Sequence, residues 1–163
     1  MQLLILTAGD QSYAIEAQSV VEVLPKVPVR PVPRLPDYVI GMVTYRGRLI
    51  PVVDLARRLA DEFSTKRLST RVIVVEYVPR TVQKTESPPR KVRMGLVAEN
   101  MVSTFRSEDA DTVFSEMHLD NAPFLGRIVR LNGRTVQLLT VENILPAELA
   151  AGLFASGAEP LTP

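Results

Sequence analysis

The chain is 163 residues long, 46% apolar and 23% charged, with a formal net charge of +1, so it can bury the core of one domain or of two intimate subdomains. It has no cysteine and one histidine, His118, which excludes disulfides, zinc fingers, thiol catalysis and multi-histidine metal sites. No apolar stretch approaches the roughly 20 residues that cross a bilayer, and the Met1 to Leu6 end lacks the basic region and cleavage site of a signal peptide, so a cytoplasmic location is expected.

In chain order, Leu3 to Thr7 and Tyr13 to Ile15 flank Gly9-Asp10 and predict a hairpin with a tight turn. Ala17, Val20, Val21 and Leu24 fit a short helix that passes into a strand, because β-branched Val20, Val21 and Val23 favour extended backbone. Five prolines between Pro25 and Pro36 forbid regular helix and predict an extended connector. Val39 to Tyr45 and Leu49 to Val53 flank Arg46-Gly47-Arg48, the clearest hairpin of the chain, with Gly47 suited to the positive φ of a bulged turn. Pro51 cannot donate to a ladder, so its strand is expected at a sheet edge or with its amide side turned outward there. Asp54 is a natural N-cap for a helix from Leu55 to Asp61, on whose outer face Arg57 and Arg58 are expected.

Arg71 to Tyr77 and Val92 to Ala98 read as strands joined by a long polar loop, Pro79 to Lys91. Met101 to Phe105 continues as strand, and Ser107 to Asp111 is an acidic connection. Phe124 to Leu131 and Thr135 to Leu139 bracket Asn132-Gly133, a strong two-residue hairpin signal. Val141 to Leu145 leads to Pro146, placed in the first turn of a helix through Phe154. About ten strands result, in two halves of short antiparallel strands, each closed by a short helix at Asp54 to Asp61 and at Val141 to Phe154. The expected fold is mainly β: two intertwined five-stranded barrel subdomains forming one domain over residues 1–155, with a disordered tail over 156–163.

The near-neutral total charge hides a segregation. Residues 1–25 hold three acids and no base, residues 26–93 hold fifteen Lys or Arg against six acids, and residues 94–163 hold four against nine. A basic middle admits a nucleic-acid-binding β-barrel, yet its arginines lie among apolar runs and turns without aromatic platforms for bases. Docking between complementary protein surfaces is the favoured reading. No phosphate loop, nucleophile elbow or metal-ligand spacing is present, which argues against catalysis and against a cofactor or metal. Glu108, Asp109 and Asp111 lack the alternation and closing glutamate of a calcium loop. Two oppositely charged residues in otherwise apolar strands stand out, Glu22 and Arg46.

These two sit inside a denser pattern: Gly9-Asp10-x-x-Tyr13-x-Ile15, Val20-Val21-Glu22-Val23, Pro33-x-x-Pro36-x-Tyr38-x-x-Gly41, and Tyr45-Arg46-Gly47-x-x-Ile50-Pro51-Val52-Val53-Asp54-Leu55. Gly95-Leu96-Val97, Phe124-Leu125-Gly126 and Leu138-Leu139-x-Val141-Glu142-x-Ile144-Leu145 continue it. Over roughly residues 2 to 150 the chain resembles the CheW family of chemotaxis coupling proteins. The resemblance implies two SH3-like five-stranded barrels, no catalysis, and a link between chemoreceptors and a CheA-type histidine kinase in membrane receptor arrays. It implies that the residues at Glu22 and Arg46 associate beside a groove for the receptor's hairpin tip, lined also by Val20, Val23, Val43, Tyr45, Gly47 and Leu49. The kinase's regulatory domain would dock barrel to barrel, with self-association in array rings as a further possibility, and neither nucleic acid nor membrane insertion is implied. Thr44-Tyr45 replaces the Asn-Leu common in the family, and Tyr45 with Leu145 to Leu149 looks like the coupling proteins of alternative chemosensory systems.

Overall fold

The structure, a computed structural model, describes residues 1–25, 27–62, 70–79, 90–114 and 118–154, with backbone alone at 101–103. The expected disordered tail and most of the Pro79 to Lys91 loop lie outside the described residues. Two sheets carry the chain. One contains β1 (Gln2–Ala8), β2 (Gln11–Glu16), β8 (Asn100–Arg106), β9 (Thr112–Val113), β10 (Leu125–Leu131) and β11 (Arg134–Leu139) in the order β8-β1-β2-β11-β10-β9. The other contains β3 (Val20–Pro25), β4 (Val39–Tyr45), β5 (Arg48–Asp54), β6 (Arg71–Tyr77) and β7 (Val92–Ala98) in the order β3-β6-β7-β5-β4.

The sheets therefore do not divide the chain into consecutive halves. The first hairpin pairs with the last through a parallel ladder that sets Ser12 beside Val136 and Ala14 beside Leu138. A second parallel ladder sets Val52 to Asp54 beside Gly95 to Val97. Antiparallel hairpins alone were expected because turn residues signal only neighbours in sequence, whereas these two ladders join segments far apart.

Apolar runs without polar alternation mark strands buried on both faces. In β1, Leu4 and Leu6 enter a core shared by the two sheets, while Leu3 and Ile5 enter a core held by the first sheet alone. In β6, Ile73 and Val75 face the shared core, and Val72 and Val74 face the core of the second sheet. Each sheet thus owns a core, as two SH3-like β subdomains should, and the largest core lies between them. Burying one such Leu or Ile contributes about 1.5–3 kcal/mol, so the shared core commits the subdomains to one another.

Several local expectations hold and several change. A single 3-10 turn over Ala17–Ser19 precedes β3. Asp54 caps α1 (Leu55–Ala60), its Oδ1 accepting from the amides of Ala56 at 3.1 Å and Arg57 at 3.4 Å. Asn132-Gly133 forms the two-residue turn, with φ of 54° and 76°. Pro51 lies in an interior strand, one residue before the ladder with β7 begins at Val52, and it faces Met42 of β4. The closing helix splits into a 3-10 turn at Val141–Asn143 and α2 (Ala147–Leu153), with Pro146 at the N-cap position instead of the first turn.

The proline-rich connector is ordered where described. Arg30 exchanges backbone hydrogen bonds with Met42 at 2.8 and 2.9 Å, so the connector lies against β4 at Gly41. A Cβ on Gly41 would stand 2.1 Å from the Arg30 carbonyl oxygen, at φ +147°. The glycine is needed because two backbones meet there.

Candidate functional site

The hairpin of β4 and β5 turns on Arg46 and Gly47 alone, since Tyr45 pairs directly with Arg48. Both turn residues have positive φ, 49° and 77°, the paired left-handed geometry that matches strand twist in two-residue turns. The expected bulged turn is therefore replaced by the tighter form. Gly47 meets that demand freely, but an arginine in left-handed backbone costs about 1–2 kcal/mol. Arg46 is thus presented at the hairpin tip at an energetic cost.

Glu22 comes from β3, across the sheet from β4. Its cross-strand partner is Val74 of β6, a residue of the second sheet's own core, so its side chain is directed to the same side as Tyr45. The Tyr45 hydroxyl donates to Glu22 Oε2, and Arg46 Nη2 lies 3.6 Å from the same oxygen. The Arg46 guanidinium sits 5.1 Å from the centre of the Tyr45 ring, and that of Arg93 sits 5.8 Å from it. Tyr45 is buried, with 6% of its surface exposed. The hydrogen bond to the Glu22 carboxylate holds the phenol's pKa above its ordinary value, with burial acting in the same direction.

Not all the expected groove residues share this face. Val43, two residues before Tyr45 on the same face of β4, is buried with it in the second sheet's core. Val20 packs into the shared core, and Val23 pairs with Ile73, whose side chain also belongs to the shared core. Leu49 is 62% exposed beside the turn. What the structure brings together is Glu22, Tyr45 and Arg46, with Leu49 close by.

A groove of about 680 Å³ opens beside this hairpin. It runs from Tyr45, Arg46, Arg48 and Leu49 to the start of β7 at Arg90 to Arg93 and to Phe154 at the end of α2. Arg93 pairs with Glu76 at 2.9 Å, and Lys91 reaches the same carboxylate at 3.9 Å. Arg90 donates to the Phe154 carbonyl, and the Phe154 ring meets Tyr77 edge-on with centroids 6.2 Å apart. These groove residues carried no sequence signal except their charge.

Arg57 and Arg58 are not both surface residues. Arg57 Nη2 pairs with Asp37 at 2.5 Å and holds its carboxyl below the usual range. Arg58 lies between the rings of Tyr38 and Phe124, 4.5 Å from each, and donates through Nε to the Ile144 carbonyl at 2.9 Å. It joins α1 to both the connector and the C-terminal segment. No group of three His, Cys, Asp or Glu placed to hold a metal occurs among the described residues, and none of their helices is long and apolar enough to cross a membrane.

Matched against known families, residues 2–149 fit the CheW-like domain. The chain belongs to the CheW-like family. The chemotaxis protein CheW of Rhizobium meliloti is 23% identical over 152 residues, which cover 90% of this chain and 88% of that one. That of Helicobacter pylori is 25% identical over 146 residues, covering 89% and 81%. The crystal structure of the scaffolding protein TtCheW from Thermoanaerobacter tengcongensis shares the fold, with a TM-score of 0.69, 18% identity, and coverage of 90% and 89%. Chemotaxis scaffolding is accordingly the function class of this family, and nothing in these matches favours the nucleic-acid reading.

Proposed function

We propose that this chain is a non-catalytic coupling protein that links a chemoreceptor's cytoplasmic hairpin tip to a CheA-type histidine kinase in a signalling array. The observation that carries the receptor contact is Arg46. A strained, 60% exposed guanidinium is held at a hairpin tip by a buried tyrosine and a carboxylate, beside an exposed leucine. The contacts with Glu22 and Tyr45 do no more than offset that backbone strain, and strained positions concentrate at binding surfaces. Glu22, Tyr45, Arg46, Gly47 and Leu49 form the contact, Val43 lies behind it in the core that holds Tyr45, and Val20 and Val23 belong to the strand that carries Glu22.

Coupling then follows from occupancy of two surfaces at once. The receptor tip sits at the Arg46 hairpin while the kinase's regulatory domain, of related fold, docks elsewhere on the barrels. A change in receptor conformation reaches the kinase as a change in which joint arrangements are favourable. The protein is recruited to membrane arrays through the receptor.

The test is a charge swap. Glu22→Arg and Arg46→Glu should each weaken capture of a receptor signalling fragment and lower receptor-dependent kinase activity, and the double variant should recover part of both. Equal loss in all three would remove the pairing from the mechanism. Failure of the wild-type chain to bring down either partner would remove the coupling assignment.

A further inference from the structure

We infer that the groove beside the Arg46 hairpin takes a carboxylate-bearing segment of the partner, read by a basic wall of which the family motif contains only Arg46. This rests on the receptor-contact assignment and names its chemistry. Five cationic side chains line the groove, Arg46, Arg48, Arg90, Lys91 and Arg93, against the single carboxylate of Glu76. That carboxylate is occupied by Arg93 and Lys91. Arg90 spends one amino group on a neutral carbonyl, and Arg48 has no carboxylate partner among the described residues. Glu22, at the rim, already accepts from Tyr45 and lies 3.6 Å from Arg46. The groove therefore keeps a positive excess that its own acids do not offset.

All five cations come from two short segments, Arg46 to Arg48 at the hairpin tip and Arg90 to Arg93 at the start of β7. The fold brings the two segments to one opening, although they are more than 40 residues apart in the chain. Exposed Leu49 on the hairpin side, with half-buried Phe154 opposite, supplies an apolar anchor between them. Carboxylates flanking an apolar side chain, as on one face of a helical hairpin, match that arrangement.

A phosphate polyanion would also meet the charge. The walls argue against it, because base stacking needs an open aromatic face. Tyr45 is buried with guanidinium groups against its ring, and Phe154 is turned edge-on to Tyr77. A protein segment is the better fit.

The probe is a labelled receptor signalling fragment from the same cell, alongside the same fragment with its tip glutamates changed to Gln, titrated by anisotropy against the full chain. The acidic fragment should bind about tenfold more tightly than the Gln form at low salt, with the difference shrinking as salt screens it. Arg48→Glu with Lys91→Glu, both exposed positions, should weaken the acidic fragment on the order of tenfold. A fragment with Lys at the tip positions should recover binding to that double variant. Arg130→Glu with Arg134→Glu, the same charge change on the other subdomain, should leave the titration unmoved.

Equal affinity for the acidic and Gln fragments, with no effect of the double variant, would overturn the groove chemistry and leave the receptor contact standing. Absence of binding by any fragment would overturn both. Displacement of the acidic fragment by single-stranded oligo-dT at matched charge would reassign the groove to nucleic acid and overturn the inference.

Discussion

Replacing Arg46 by Asn separates what the turn needs from what the surface needs. Asparagine tolerates left-handed backbone, so the change relieves about 1 kcal/mol of the strain that arginine carries there. Against this stands the pair with Glu22, 3.6 Å apart with side chains 60% and 41% exposed, worth about 0–0.5 kcal/mol after screening by solvent. The guanidinium over the Tyr45 ring adds about 0.5–1 kcal/mol. The terms nearly cancel, and the expected outcome in urea unfolding is a stability within about 1 kcal/mol of the parent, a shift of no more than about 2–4 °C in melting temperature. Receptor capture should fall by much more than stability does. A loss of more than about 2 kcal/mol would refute the reasoning, because Arg46 would then be holding the hairpin together instead of being displayed by it.

Three further outcomes follow from the geometry. Gly41→Ala should cost about 3 kcal/mol or more by driving a Cβ into the Arg30 carbonyl, whereas Gly47→Ala meets no atom within 4 Å and should cost only about 1–2 kcal/mol; paired urea titrations distinguish them. Arg58→Lys should cost about 1–3 kcal/mol in the same assay, since an ammonium cannot fill the space between two rings and still keep the Ile144 hydrogen bond. The Asp37 carboxyl is held low by Arg57, so its stabilising contribution is complete above about pH 5 and is lost as pH falls below about 4. Asp37→Asn should flatten that acid limb in a pH series of thermal melts, and an unchanged limb would show that the pair is too exposed to matter.

The parts of the molecule that were legible in sequence are those written locally. Gly9-Asp10, Arg46-Gly47 and Asn132-Gly133 announce turns because each contains a glycine, which accepts positive φ. Asp54 announces a cap, and the apolar and β-branched runs of β1 and β6 announce strands. The parallel ladders were not legible, because no local residue pattern says that Ser12 will lie beside Val136. Pairings of that kind are decided by which apolar faces remain uncovered. Arg58 was misread for a related reason: its partners, Tyr38, Phe124 and Ile144, are remote, and an arginine on a short helix looks like a solvated one until two rings close on it. Glu22 and Arg46 were visible as charges out of place. That Tyr45 would join them was not derivable from spacing, since its hydroxyl reaches Glu22 only after β3 and β4 take opposite edges of one sheet.

The parallel ladder between the first and last hairpins also bears on how the chain is made. Ser12 meets its partner only after Val136 has been synthesised, and at translation rates of about 5–20 residues per second that is a wait of roughly 6–25 s. Strands β3 to β7 form their sheet wholly from residues 20–98 and can close first. Until β10 and β11 arrive, Leu3 to Leu6 and Tyr13 to Ile15 present an apolar hairpin with one edge open. Unguarded edges of this kind seed aggregation, so the nascent N-terminal hairpin is the segment on which a chaperone would act.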